Sequence, residues 1–364
     1  MLLFSDIGLA LIKSQWETAA ELILKPRPNE SSQMTRMRAH WWMYRKPADA
    51  VVLLGNGISQ SKSLEASLLH GLANSNQNDY LRAFSHLQRN TVLLYLHAYQ
   101  SLIWNKVVSE RIKRFGDQVL IGDTVLMSQP ENKNTKTEKE GEEESTVTTM
   151  TTTKEFETKL ERKIANIETV DENNISRYTL HDVVMPIPGH KVPYPKNEEL
   201  KEIYLSLMKE DGLDQGFEGL KHKTDMFSLS GDYRVILQKV NDLSWRFISH
   251  SEPDEDILVS DFDIIDGKQP KESVQGGEYQ SLLVEFSLNS STYATMALRE
   301  AMKIDLGKGS QSMLTEKYKT LIEEKRKRKI EENNEEKEEC IPAVKKIKSD
   351  NESHVEDDED SEKS

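Results

Sequence analysis

Within the stretch RNTVLLYLHAYQSLIWNKVVSER, Arg89 to Arg111, a few polar side chains stand in an apolar setting. Placed on a helix, His97, Gln100, Ser101 and Trp104 fall within a turn of one another on one face, and Asn105 stands at its edge. Amides, an indole and an imidazole grouped in this way make and accept hydrogen bonds. A polar side chain on a buried helix needs a partner, because leaving it unpaired costs about 1–3 kcal/mol. Two readings follow from the residues: the strip bonds neighbouring loops, or it faces a bound polar ligand.

The element that must carry this strip is itself legible. Val92, Leu96, Tyr99, Ile103 and Val107 keep the spacing of a core-facing helical stripe. Leu93, Leu94, Ala98, Leu102 and Val108 widen it until little of the circumference is left for water, so the helix is expected to be buried. A second stretch, RMRAHWWMYRK from Arg36 to Lys46, alternates cations with rings. That mixture suits a nucleic-acid surface, with cations for phosphate and rings for stacking. It equally suits an amphipathic helix whose arginines snorkel.

Other chemistry is excluded by what the chain lacks. The single cysteine, Cys340, can form no intramolecular disulfide, and a reducing compartment is its natural setting. No HExxH or HxxxH spacing occurs among the nine histidines, so no metal set is visible. MLLFSDIGLALI at the start lacks the basic region and cleavage site of a signal peptide, and Asp6 interrupts it. No apolar run approaches the ~20 residues of a membrane span. The chain therefore reads as soluble and intracellular.

The net charge of −14 is unevenly placed. Residues 129–172 hold 12 Asp/Glu against 7 Lys/Arg, and residues 331–364 hold 14 against 5. Everything else is balanced, so overall acidity does not argue against a polyanionic partner for the ordered part. Residues 129–174 and the tail after about residue 319 carry too few large apolar side chains to offset the entropy of ordering, and both are expected to be disordered. Two basic clusters in the tail, Lys325–Lys329 and Lys345–Lys348, suit an import receptor and a nuclear location, or a solvated helix end.

Five separated blocks carry a resemblance. RNTVLLYLHAYQSLIWNKVVSERI, DVVMPIPG at Asp182–Gly189, SLSGDYR at Ser228–Arg234, LSWRF at Leu243–Phe247 and STYATMALRE at Ser291–Glu300 occur in this order. Together they resemble the TruD-type RNA pseudouridine synthases, most of all the eukaryotic branch of pseudouridylate synthase 7 homologues. The resemblance implies isomerisation of uridine in tRNA or mRNA, with snRNA as a further possible class. It implies RNA as the partner, no membrane, no cofactor and no metal. It also implies a flipped uridine stacked on an aromatic ring and an Asp that performs the covalent or proton-transfer step. In the family that Asp lies in a segment of the form G-x-K-D-R-x, and the aromatic in N-Y-F-G-x-Q-R-F-G. Neither occurs here: the chain has no Lys-Asp pair and no Gln-Arg-Phe. No residue of this chain can be assigned as nucleophile, and GLALIKSQWETAAELILKPRP resembles the helix that follows the second motif. On this reading the chain corresponds to the C-terminal part of the family's protein. A non-catalytic RNA- or protein-binding module is the alternative.

The matching residues define candidates for substrate contact: Arg89, Asn90, Gln100, Asn105, Arg234, Tyr293 and Arg299. The resemblance places Tyr293 and Arg299 near the uridine cleft. Each has a structural reading too: Tyr293 as a core ring at a helix start, Arg299 as a solvent or carboxylate partner, and Arg234 as a buried strand residue needing a carboxylate.

The fold expected is α+β. A helical TruD-type insertion domain occupies residues 1–226, with 129–174 looping out of it. The returning strands of a mixed, largely antiparallel sheet occupy 227–318, and 319–364 is a charged tail. Asp6–Leu24 reads as one helix or two, and LIGDTVLM pairs with YTLHDVVMPIPG. Strands are expected at Val235–Val240, Leu243–Phe247, Ile257–Ile265 and Ser281–Leu288. A last helix, capped by Asn289, Ser290 or Ser291, runs to Gly307.

Overall fold

A computed structural model describes residues 4–28, 30–54, 63–76, 79–127, 160–253, 255–269, 271–290, 292–304 and 307–339. The chain forms two compact units, Met1–Gln238 and Lys239–Ser364. The expected boundary lay after residue 226; the observed one falls beyond the strand of SLSGDYR.

Among the described residues the first unit opens with short helices: α1 Phe4–Ile12, α2 Trp16–Leu24, α3 Ser32–Tyr44, α4 Pro47–Val52, α5 Leu64–Asn74 and α6 Tyr80–Ser85. Asp6–Leu24 is thus two helices, broken where Ser14 takes a left-handed φ of 58°. Local chemistry sets the starts. Ser31, Ser63 and Asp79 accept hydrogen bonds from the backbone N–H three residues on, and Pro47 opens α4 where its missing donor is harmless. These helices lead into α7, Arg89–Phe115, a 27-residue helix that buries Val92, Tyr95, Leu96, Tyr99, Ile103 and Val107 as its spacing requires. Helix α1 lies directly on α7. A side chain at Gly8 would stand 2.1 Å from the carbonyl oxygen of Tyr95, so only glycine permits this approach.

A four-stranded antiparallel sheet completes the unit. Its strands are β1 Thr124–Leu126, β2 Ile167–Thr169, β3 Val183–Ile187 and β4 Asp232–Val235, in the order β2-β1-β3-β4. The expected pairing of LIGDTVLM with YTLHDVVMPIPG is the β1–β3 ladder. Helix α8, Glu198–Glu210, capped by Asn197, packs against α7 and buries Leu200, Ile203, Tyr204 and Met208. A buried ion pair binds α7 to the approach of β1: Arg111 and Asp123 both have fully buried side chains. The Asp123 carboxylate also accepts from the Leu120 N–H, and Arg111 donates to the Gln118 carbonyl at 2.9 Å.

The second unit holds a two-stranded antiparallel sheet, β5 Asn241–His250 with β6 Tyr279–Ser287. It also holds α9 Asp261–Ile265, α10 Ala294–Met302 and α11 Lys308–Glu339. The observed fold is α+β, as expected, and its described strands pair antiparallel in a four-stranded and a two-stranded sheet.

Several local expectations are corrected. Residues 261–265 form a helix where a strand was expected, because Ser260 and Asp263 make a reciprocal capping box that outweighs the β-branched run. Strand β4 ends at Val235, ahead of the apolar run expected to form it. Asn241-Asp242 does not turn the chain but opens β5 through a bulge, with Asp242 at φ 52°. Helix α10 starts after Tyr293 with no side-chain cap, and it stops at Lys303 in a left-handed C-cap, short of Gly307. Of the stretch expected to be disordered, 129–159 lies outside the described residues, and 160–174 is built into the fold. Leu160 packs with Val184, Val192 and Tyr233, and Asn174 bonds Glu168 and the carbonyl of Thr169. Of the charged tail, 319–339 belongs to α11, and 340–364 lies outside the described residues. Lys, Glu and Arg are strong helix formers, and a helix satisfies its backbone without a core.

Two outcomes are expected. Asp123→Ala leaves Arg111 buried without its partner and lowers stability by about 3–5 kcal/mol, whereas the paired replacement Arg111→Met, Asp123→Leu loses much less; thermal melts compare them. Secondly, Leu243, Trp245, Phe247 and Leu282 leave one face of the β5–β6 sheet open, each more than half exposed. Such a face drives association, so the isolated chain self-associates in size-exclusion chromatography and Trp245→Glu with Phe247→Lys reduces it. A monodisperse native chain would contradict this.

Candidate nucleic-acid interface

The proline-containing strand β3 organises the surroundings of the candidate residues. Pro186 and Pro188 have no N–H to give a ladder, yet the carbonyls around them still need donors. Four side chains from β1, α7 and α8 supply these. Thr124 Oγ1 donates to the Val184 carbonyl at 2.6 Å, and Trp104 Nε1 to Met185 at 3.1 Å. The Tyr204 hydroxyl donates to Pro186 at 2.6 Å, and Gln100 Nε2 to Pro188 at 2.6 Å. Burial pushes the Tyr204 phenol well above its ordinary pKa, so it remains a donor at any working pH.

The turn beyond β3 is held by backbone contact. A side chain at Gly189 would lie 2.1 Å from the backbone nitrogen of Gly231, and Gly231 itself takes φ +91°. Two glycines, one in DVVMPIPG and one in SLSGDYR, therefore let these segments touch. His190 and Lys191 N–H groups then bond the carbonyls of Leu229 and Ser230, extending the pairing past the turn.

The candidates separate on this frame. Gln100 and Trp104, the middle of the polar strip on α7, are buried and hold β3 in place. The strip thus bonds a neighbouring strand and turn at these two positions. His97 lies one turn earlier on the exposed side of the helix, and crowding by the neighbouring protein lowers its pKa. Arg234 is not a buried strand arginine seeking a carboxylate. It is exposed, sits on β4 opposite Met185, and its guanidinium lies 5.1 Å from the centre of the Trp104 ring. Trp104 thus holds β3 through its N–H and presents its ring to Arg234. Flattened on an indole, Arg234 keeps its N–H fork for an anionic or carbonyl acceptor.

Asn105 is exposed beside Trp104 in sequence, on the turn of α7 facing away from the core. Arg89 and Asn90 are exposed at the start of α7, about 16 Å along the axis from Gln100 at 1.5 Å per residue, so they do not converge with Arg234. Tyr293 and Arg299 belong to the second unit. Tyr293 is 72 % exposed and not a core ring; Arg299 is exposed in the last turn of α10. What the sequence reading missed is the pair of donors to β3 that lie outside the α7 strip, namely Thr124 and Tyr204. The only sequence signal was the prolines of VVMPIPG, which mark a strand that has lost ladder donors.

No group of three or more His, Cys, Asp or Glu able to hold a metal ion occurs among the described residues, and no helix of the described residues is long and apolar enough to cross a membrane. Stability separates the two kinds of residue at this site. Gln100→Leu leaves the buried Pro188 carbonyl unpaired and is expected to lower stability by about 1–3 kcal/mol, while Arg234→Gln stays within about 0.5 kcal/mol. Equal losses in urea melts would show that Arg234 is structural.

Comparison with known proteins agrees with this fold. The family described as tRNA pseudouridine synthase D (TruD) matches residues 4–301. The pseudouridylate synthase 7 homolog of Homo sapiens is 31% identical over 310 residues, covering 85% of this chain and 40% of that protein. The multisubstrate pseudouridine synthase 7 of Schizosaccharomyces pombe is 32% identical over 309 residues, covering 85% of this chain and 43% of that protein. The crystal structure of the putative tRNA pseudouridine synthase D from Methanosarcina mazei is similar in fold, with a TM-score of 0.56 at 19% identity, covering 83% of this chain and 58% of that one. The chain spans about two-fifths of the length of these curated relatives. With its polar α7 strip, its proline strand and the SLSGDYR turn all inside the matched region, the chain belongs to the TruD family of pseudouridine synthases.

Proposed function

We propose that this chain is the RNA-holding part of a uridine-isomerising enzyme, acting on tRNA and, beyond it, on mRNA or snRNA. The observation that carries the reading is the family match over residues 4–301. The exposed, indole-backed Arg234, together with Arg89, Asn90 and Asn105, would meet the RNA backbone, and Tyr293 and Arg299 would stand near the flipped uridine. No segment of the form G-x-K-D-R-x lies within these 364 residues, so the chain by itself is proposed to bind substrate without turning it over.

Nuclear entry through an import receptor belongs to the same proposal. It is supported by the sequence of the clusters at 325–329 and 345–348. In the first of them Lys325 is engaged with Glu278 at 2.7 Å and with the Ser251 carbonyl at 3.1 Å. The second lies outside the described residues.

Incubating the purified chain with uridine-containing tRNA transcripts and labelling pseudouridine chemically is expected to show salt-sensitive binding without product. Arg234→Gln should weaken binding uniformly across sequences and reduce the salt slope by about one. Turnover by this chain alone would overturn the division of labour proposed, and absence of any RNA binding would favour a protein-binding module.

A further inference from the structure

Helix α3 carries a surface that the α7 strip and β3 do not use. Residues 31–48 contain four Lys/Arg and no Asp/Glu, in a chain whose acidic residues outnumber its basic ones. One of the four is spent internally: Arg38 is fully buried, 2.9 Å from Glu30 and 2.6 Å from Glu65. Arg36, Arg45 and Lys46 remain exposed.

The end of the helix shapes this surface. Arg45 closes α3 in a left-handed C-cap, its N–H returning to the Trp41 carbonyl. That turn folds the guanidinium back over two rings, 4.3 Å from the centre of Trp41 and 4.9 Å from that of Trp42. Glu21 takes one Nη2 hydrogen bond at 2.6 Å and fixes the fork. Trp41 is buried, but Trp42 is 41 % and Tyr44 57 % exposed. The His40 ring lies 4.8 Å from that of Tyr44. Two ring nitrogens of this turn, Trp41 Nε1 and His40 Nε2, are buried and have no hydrogen-bond partner among the described residues.

A solvated helix end with snorkelling arginines explains the cations but not the rings. The core of α3 is satisfied by Met37, Arg38 and Trp41, and nothing in the packing requires two further large aromatics facing water. A single exposed ring is ordinary. Two rings interleaved with three cations, one of them already stacked, make the platform on which single-stranded nucleic acid binds, since every base has a π-face and every linkage a negative charge.

We propose that the exposed side chains of α3 and its C-cap, from Arg36 to Lys46, form a second RNA contact. Unpaired bases stack on Trp42 and Tyr44 while Arg36, Arg45 and Lys46 hold the adjoining phosphates. The inference rests on the RNA reading above and adds a preference to it: this surface takes single strands and not duplex. It is separate from Arg234, since α3 packs on α2 and α4.

The test uses the full chain with a fluorescein-labelled oligouridine and a matched RNA duplex, read by anisotropy. Trp42→Ala with Tyr44→Ala is expected to weaken oligouridine binding about ten-fold or more, with duplex affinity unchanged. Trp42→Phe with Tyr44→Phe should keep the affinity, because the stacking faces remain. Arg36→Glu with Lys46→Glu provides an independent arm that leaves the rings in place and should also weaken binding. Melting curves confirm folding of each variant. Oligouridine affinity within about two-fold of wild type in both the alanine and the glutamate variants overturns the proposal. Wild-type chain that binds neither RNA overturns the wider RNA reading together with it, whereas loss confined to the Arg234→Gln variant overturns this surface alone.

Discussion

A strand that contains prolines cannot satisfy its neighbours as other strands do, and the first unit is arranged around that constraint. The carbonyls of Val184, Met185, Pro186 and Pro188 receive their hydrogen bonds from Thr124, Trp104, Tyr204 and Gln100. Those four side chains come from β1, α7 and α8, so strand β3 fixes the spacing of three elements at once. Each bond is worth about 1 kcal/mol net, yet each absence would leave a buried acceptor unpaired at a larger penalty. The arrangement is therefore rigid in a way that apolar contact alone does not enforce. Rigidity at β3 passes to β4 and so to Arg234, whose platform is the same Trp104 that bonds β3.

Buried charge gives a second set of fixed points. Arg111 with Asp123 ties the far end of α7 to the sheet, and Arg38 with Glu30 and Glu65 ties α3 to the chain before it and to α5. Burying ions is expensive and adds little net stability, but it penalises every alternative packing that would separate the partners. Helix α3 shows the consequence: Arg38 and Trp41 turn inward, Arg36, Trp42 and Tyr44 stay exposed, and the C-cap decides where Arg45 lands.

How far the sequence revealed this can be judged from particular residues. The stripe on α7 was legible because a long, strongly periodic helix has few competing readings. The β1–β3 pairing was legible from two apolar runs flanking a polar insert. Residues 257–265 were misread because β-branched residues signal a strand only when no local cap competes, and the Ser260–Asp263 box competes successfully. Leu160 to Asn174 was misread because composition averages over a window, whereas Leu160, Val170 and Asn174 act singly in tertiary contacts. The exposure of Arg234 and Tyr293 could not be read at all: period and propensity place a residue on an element, not on the wet or the dry side of its neighbours.

The distribution of charge bears on how such a chain meets a polyanion. Its excess of carboxylates lies in residues 129–172 and 331–364, and the rest is balanced. Exposed charges farther apart than about 8–10 Å are largely screened at physiological ionic strength. What a phosphate experiences near the surface is therefore the local set: Arg234 on its indole, Arg89 at the head of α7, and the cations around Trp42 on α3. A negative total disfavours indiscriminate adhesion to nucleic acid, while local cations backed by rings reward only a strand that offers both phosphate and an unpaired base. A chain of this composition gains selectivity from its acidity, because binding must come from a few oriented side chains and not from the field of the whole.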